Sequence, residues 1–533
     1  MDPETMYWDV LVIGTGMGGA TLGHALAEAG RRVLFIERGL DLRPEGGQRI
    51  SGRFVEDIRG FGSRSSTEKN HDLACGGRST DTIDDMGGGR RSPYVPYVGS
   101  GTGGSSALYG MNLERFFPID FVPGSAFQDR RGSSLPDKWP ISYEDLRPWY
   151  EQAERLYRVR GTPDALRVGE NGAGLFVPPP LSPQSAHLFD ALTARGVHPY
   201  RAHTASEQVP DCHTCEGYLC PFSCKNDAAR ICLTPALEQH GAHLLTECTA
   251  TFLEANRKEV RRVVCSWRGR RIELRAKVVV LAAGALLTPA LLLNSRSDSW
   301  PTGLANDSDM VGRNLMQHSL DLWVLTKAPK LSENTWNKEI AFNDLYTVGD
   351  DKLGTVQAPG PPAPPALLRE ANFNLWRLLG PLASFAWERF SKQPMFSAIL
   401  EDLPYPENRV WPRSTEPQEN NRLCLRYRVG ESELRRRRVF RKALASVLGP
   451  FHPIRVFRTG TGDRRPRLGH VCGTCRFGTD PDSSVLDPWN RAHGIANLYV
   501  VDGSFFPSSA GTNPSLTIAA NALRVARHLT AST

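Results

Sequence analysis

The sequence predicts an α/β fold, and three observations lead there. Residues 7–40 read as a buried-strand run, a glycine turn, a helix and a second strand. The sheet pattern returns near 243–293. Residues 320–429 then carry short strands of a different style, as in an antiparallel sheet.

Val10 to Ile13 is the first apolar strand, Ala20 to Ala29 has helical character, and Val33 to Ile36 is the second strand. Gly30 suits the helix C-terminus. Residues 41–135, rich in Gly, Ser and Arg, read as mostly irregular. Tyr143, Leu146, Tyr150, Ala153 and Leu156 recur at helical spacing. Leu244 and Leu245, then Ala250 to Leu253, read as strands, Val263–Val264 with Ile272–Leu274 as a hairpin, and Val278 to Ala282 as a buried strand. The segments 320–328, 340–347, 396–403 and 422–429 form the antiparallel set. They enclose a proline-rich linker, Pro359 to Pro365, that can be neither helix nor central strand. Residues 366–390 carry an apolar stripe, read as an amphipathic lid with membrane-surface docking as the alternative. The run Arg435 to Arg438 follows Glu431 and Glu433 and reads as a solvated helix face, with contact to an acidic partner or substrate as the alternative.

A chain of 533 residues exceeds a typical single core, so two or more domains are expected. Its net charge of +7 is scattered, which points away from nucleic acid as a partner. No window supplies the roughly 18 uninterrupted apolar residues of a spanning helix, and the N-terminus lacks a signal-peptide pattern. The expectation is a cytoplasmic protein. Eleven cysteines are many for that compartment, and Cys212, Cys215, Cys220 and Cys224 crowd one segment.

Gly14, Gly16 and Gly19 form a GxGxxG turn, with Gly18 inside it, after a strand and before a helix. Such glycines let the backbone approach a pyrophosphate seated on the helix N-terminus. Glu37 ends the next strand, where a ribose hydroxyl would be held. Dinucleotide binding follows, with FAD and NAD both open.

More distant segments separate the two. His470 to Gly478 resembles the HPxGTxxMG segment of the glucose–methanol–choline (GMC) FAD-dependent oxidoreductases, with Val471 for Pro and Phe477 for Met. Leu498 to Ser504, Pro507, Asn513–Pro514 and a helix from Thr517 resemble the C-terminal FAD-binding segment of that family. Gly99 to Ser106, followed by Asn112, resembles its glycine-rich loop, and Val311 to Leu315 with His318 matches VGRNLxxH. Gly284 to Leu293 resembles part of its second signature, although Arg296 and Ser297 replace the usual Ser-Gly ending.

The resemblance implies a doubly wound, Rossmann-like FAD domain from residues 1–135, 205–320 and 465–533. A substrate domain of antiparallel sheet and helices would combine 136–204 with 321–464. It implies cofactor contacts at Gly14, Gly16, Gly18, Gly19, Glu37, Arg38, Gly101, Gly103, Gly104, Ser105, Asn112, Ala250, Ala283, Gly284, Asp502, Gly503, Asn513, Pro514 and Thr517. By the same resemblance His470 would be the catalytic base, a role that suits histidine because an unperturbed pKa of about 6.5 leaves it a proton acceptor near neutrality. Asn513 would hold the substrate oxygen. His318 is read as packing beside the cofactor.

The expected reaction is oxidation of an alcohol, a sugar, polyol or glycoside hydroxyl, to a carbonyl by hydride transfer to flavin. The alternatives are an oxidase of sterols or other apolar alcohols, and a non-catalytic flavoprotein. Oxygen, a quinone and a redox protein stay open as electron acceptor. The spacing of Cys212, Cys215, Cys220 and Cys224 equals neither common ferredoxin pattern, so an iron–sulfur cluster, zinc, and free or disulfide-paired structural cysteines all stay open.

Overall fold

The computed structural model describes residues 3–127, 129–209, 212, 215–331, 338–359, 392–413, 422–458 and 469–531. The expected lid at 366–390 and nearly all of the proline-rich linker lie outside the described residues.

A seven-stranded sheet forms the centre. Its strands are β1 (Tyr7–Ile13), β2 (Val33–Ile36), β3 (His243–Leu245), β4 (Cys248–Ala255), β5 (Val260–Trp267), β6 (Arg270–Leu281) and β7 (Leu498–Val500). They lie in the order β3-β2-β1-β6-β5-β4, with β7 also paired to β6. The pairs β3–β2, β2–β1, β1–β6 and β6–β7 are parallel. Every residue of β2 is buried, the pattern of a strand covered on both faces. The first helix, Met17–Glu28, packs on the closing helix, Ser515–Ala531, which in turn packs on Tyr143–Leu156.

The second hairpin strand and the separate buried strand expected at 278–282 are one continuous element, β6. Its first half pairs antiparallel with β5, and its second half runs parallel between β1 and β7. Burial changes along it from alternating to continuous as the neighbours change. The 41–135 stretch also holds a helix, Ser66–Cys75, whose N-terminus is closed by a capping box between Ser65 and Glu68. The S-x-x-E signal for it was present in the sequence.

A second, six-stranded sheet is antiparallel throughout. Its order is Pro453–Arg458, Ser319–Leu325, Met395–Leu400, Val356–Gln357, Ile340–Phe342, Tyr200–Arg201. Trp323, Phe342 and Phe396 pack there with Leu188 and Leu192 of helix Pro183–Thr193 and Phe440, Leu444 and Leu448 of helix Glu431–Leu448. The segment expected at 422–429 does not join this sheet. Its strand, Leu423–Arg426, pairs with Arg409–Pro412 and Ile83–Asp85 in a four-stranded sheet completed by Ser92–Tyr94.

The arginine run also differs from expectation. Arg436 and Arg437 are 1% and 3% exposed, and only Arg438 faces solvent freely. Arg436 donates to the carbonyls of Lys352 (3.1 Å) and Glu401 (3.0 Å) and to Glu433 Oε1 (3.2 Å). A buried guanidinium persists only where such acceptors surround it, and the sequence could not reveal acceptors so distant in the chain. Arg436→Ala is expected to destabilise the fold by about 3–5 kcal/mol, because Glu433 loses its buried counter-charge. Arg438→Ala should stay within about 0.5 kcal/mol. Shifts of the denaturant midpoint measure both.

Candidate active site

The glycine turn sits at the C-terminal end of β1, where the amide of Gly14 donates to the Ile36 carbonyl at 2.8 Å. A Cβ added at Gly16 would meet nothing within 4 Å, whereas one at Gly18 would lie 2.0 Å from the Val501 carbonyl oxygen. The two glycines therefore do different things. Gly18, like Gly19 buried in the first helix, permits close packing, and Gly16 borders open space at the helix N-terminus. No side chain caps that terminus, which suits it to a phosphate.

Glu37 ties this turn to the second glycine loop. Its Oε2 accepts from the Thr15 hydroxyl (2.7 Å) and amide (3.3 Å), and its Oε1 from the amides of Gly39 (3.0 Å) and Gly101 (3.2 Å). Gly103 donates to the Thr15 hydroxyl at 3.3 Å, and the amide of Gly104 donates to the Gly101 carbonyl at 2.8 Å. A ribose hydroxyl at Glu37 would share the carboxylate with these donors. Arg38 turns to Ser79 and Asp81 instead. Ser105 accepts from the Gly99 amide, and Asn112 is buried with its amide donating to Gln357 at 3.0 Å.

Asp502 joins the C-terminal segment to this end of the sheet. It accepts from the Gly284 amide (2.9 Å) and the Thr288 hydroxyl (2.5 Å), and it also holds Ser504. Burial raises its carboxyl above the usual range. Ala283 precedes the helix Gly284–Asn294, and Gly503 accepts from the Gly473 amide at 3.0 Å. Pro514 accepts from the Ile518 amide, and Thr517 is bonded to Tyr150 at 2.7 Å. Ala250 lies farther off, in the β4–β5 hairpin. The open cradle at Gly16 and the uncapped helix fit a dinucleotide.

Met316 and Cys472 exchange both backbone hydrogen bonds, each 3.0 Å, as an isolated antiparallel bridge. Two residues outward on each strand, His318 and His470 fall opposite one another on one face. Their Nδ1 atoms are 2.8 Å apart, and His318 Nε2 lies 2.9 Å from the Ala510 carbonyl and 3.2 Å from that of Ser509. His470 is held at φ 56°, an uncommon region for a side-chain-bearing residue. Burial pushes His318 down to about 4, against the pull of the Ala510 and Ser509 carbonyls. Loss of hydration, then the neighbouring His318, pushes His470 down to about 3, and the Glu216 carboxylate opposes this. Both rings are neutral at pH 7.

The loop after Ser508 is pinned on two sides. Ser509 exchanges hydrogen bonds with the backbone of Asp402, at 2.9 and 3.0 Å. The Gly511 amide donates to the Tyr346 hydroxyl (3.0 Å), which donates to Asp120 (2.7 Å), and the Gly511 carbonyl accepts from Thr355 (2.8 Å). Asn513 follows, with its side-chain amide oxygen buried and without a hydrogen-bond partner among the described residues. An orphaned acceptor of that kind calls for a donor from outside the chain.

The cysteine segment supports the second glycine loop. Cys224 Sγ lies 3.3 Å from Cys212 Sγ and 3.5 Å from Cys220 Sγ, and Cys215 is buried beside them. The fully buried Lys225 next to them donates to the Ala107 carbonyl at 3.0 Å, and the Ala228 amide to the Ser106 hydroxyl at 3.0 Å. Among the described residues, no three His, Cys, Asp or Glu side chains are placed to hold one metal ion.

His318 is the residue whose part sequence reasoning missed. It is a direct partner of His470 rather than packing alone. Its place in the motif was visible, but its contact lies 152 residues away in the chain and needs the tertiary bridge.

Two family models described as GMC oxidoreductase match residues 9–320 and 404–522. Paromamine 6'-oxidase of Streptomyces fradiae is 30% identical, over 98% of this chain and 91% of its own length. 2-Methyl-1,2-propanediol dehydrogenase of Mycolicibacterium austroafricanum is 28% identical, over 98% and 95%. Among solved structures, pyridoxine 4-oxidase from Mesorbium loti superposes with a TM-score of 0.62 at 22% identity, covering 98% of this chain and 99% of that one.

The cradle is tested by its glycines. Gly16→Val is expected to fold but retain little flavin, since the branched side chain fills space that only a ligand needs. Gly18→Val should fail to fold, because it collides with the Val501 backbone. Flavin absorbance per protein, read beside a thermal melt, separates the outcomes. Gly16→Val protein with full flavin occupancy would remove the turn from the cofactor site.

Proposed function

The chain belongs to the GMC oxidoreductase family and is an FAD-dependent enzyme acting on CH–OH groups; from this we propose that His470 is the base that takes the hydroxyl proton of a sugar, polyol or glycoside alcohol. The GMC relatives support that substrate range, with names that include a paromamine 6'-oxidase, a 2-methyl-1,2-propanediol dehydrogenase and a fructose dehydrogenase large subunit.

FAD, when bound, supplies the acceptor for the carbinol hydrogen, which leaves as hydride. The Gly14–Gly19 turn and the first-helix N-terminus would hold its pyrophosphate, and Glu37 its ribose. His470 removes the hydroxyl proton as the carbon–hydrogen bond breaks, so negative charge does not build up on the oxygen. Asn513 orients that oxygen through its side-chain amide. The observation that carries the reading is His470 anchored through one ring nitrogen to His318, 2.8 Å away, which leaves its other ring nitrogen for a substrate.

Eleven free thiols fit a reducing compartment, and the reading is of a cytoplasmic enzyme. No helix among the described residues is long and apolar enough to cross a membrane. Cys212, Cys220 and Cys224 contact one another through their sulfur atoms, which suits thiols that pack beneath the second glycine loop.

His470→Ala should keep folded, flavin-bound protein and slow anaerobic bleaching of the flavin by substrate about 100- to 10,000-fold, or about 3–5 kcal/mol in barrier. Asn513→Ala should be milder. A depressed histidine pKa keeps the base form present at low pH. The bleaching rate should therefore stay level from about pH 8 to about pH 5 and fall only toward about 3. Rapid anaerobic mixing measures both. An alanine variant as fast as the native enzyme would take the base away from His470.

A further inference from the structure

We propose that His318 is a positioning residue that fixes His470 in one tautomer, with hydrogen on Nδ1 and the lone pair on Nε2 free to accept the substrate proton. The proposal rests on His470 being the base.

Carbonyl oxygens only accept, so the two at Ser509 and Ala510 require a hydrogen on His318 Nε2. A neutral imidazole carries one N–H, which leaves a lone pair on His318 Nδ1. The His470 Nδ1 atom, 2.8 Å away, must then be the donor. With its hydrogen on Nδ1, His470 presents a bare Nε2.

The opposite arrangement needs a charged His318, donating from both nitrogens and leaving His470 with its hydrogen on Nε2, useless as a base. Burial disfavours that state. The charges acting on the His318 ring are Asp120, which favours protonation, and Lys352, which opposes it; on His470 they are His318 and Glu216. The carbonyls are fixed in turn. Ala510 is held at φ 56°, Ser509 is bonded to Asp402, and Gly511 to Tyr346 and Thr355.

During the reaction the substrate O–H bond breaks and a bond forms from its proton to His470 Nε2. The imidazolium keeps its Nδ1 hydrogen and donates it to His318 throughout. His318 itself gains and loses nothing. It acts by holding a lone pair toward His470, as a carboxylate does for other catalytic histidines.

Three variants separate the accepting role from packing. His318→Asn places a carboxamide oxygen near the former Nδ1 position and keeps an acceptor for His470. His318→Gln reaches the Ala510 carbonyl but offers His470 no fixed acceptor, and His318→Ala offers none at all. With flavin content retained, Asn is expected to bleach within about ten-fold of native. Gln and Ala should lose between about ten-fold and the ~10,000-fold that a wrong histidine tautomer costs a general base. Nitrogen-15 NMR of the histidine-labelled, flavin-bound native protein should show His470 protonated at Nδ1. A hydrogen on Nε2 would overturn the proposal whatever the kinetics, and so would Asn and Ala variants slowed alike. The NMR readout does not depend on turnover, so its failure is distinct from the failure of His470 as base, which the His470→Ala rate decides.

Discussion

The exchange of backbone hydrogen bonds between Met316 and Cys472 sets the geometry of the His318–His470 pair. One residue belongs to the VGRN segment at the end of the first family-matched stretch, the other to the segment that carries His470. The pair fixes register, and register in an extended pair places every side chain two residues away. A slip of one residue would turn His318 from His470 and strand its ring nitrogen in the interior. The pair is therefore a constraint on chemistry as well as on packing.

Buried charge supports the same region from behind. Lys352, with its side chain fully buried, makes ion-pair contacts of 2.5 Å with Asp120 and with Glu401. Burial alone would pull its ammonium down, but the two carboxylates outweigh it and raise it. Burial raises Glu401 in turn, against the pull of Lys352. Asp120 also takes the Tyr346 hydroxyl that holds Gly511, so this cluster and the Asn513 loop share a side chain. Desolvating three charges contributes little net stability, and partners cannot be exchanged inside such a cluster without stranding a charge. What it supplies is a fixed position for the loop.

The cofactor end uses neutral parts and one carboxylate. Glu37 bonds to both glycine loops and Thr15 links them again, so neither loop can move without the other. The cysteine segment adds a third contact through Lys225 and Ala107. Such cross-linking suits a site whose backbone must hold a dinucleotide without large rearrangement.

The sequence by itself determined the strand–turn–helix start and the family, because those signals are local. A glycine turn after an apolar strand, or a short motif around His470, depends on neighbours a few residues apart. The helix Ser66–Cys75 carries an equally local signal in its capping residues, set within a glycine-rich stretch. Only the tertiary structure decided that Leu423–Arg426 leaves the large antiparallel sheet, that Arg436 is buried, and that His318 meets His470. Each of these depends on a partner far along the chain. A strand's apolar pattern does not name its neighbour, an arginine's charge does not show which carbonyls surround it, and a histidine's tautomer is set by whatever atom faces its ring. Those partners are chosen by packing, which brings segments such as 316–318 and 470–472 into register only when the whole chain has folded.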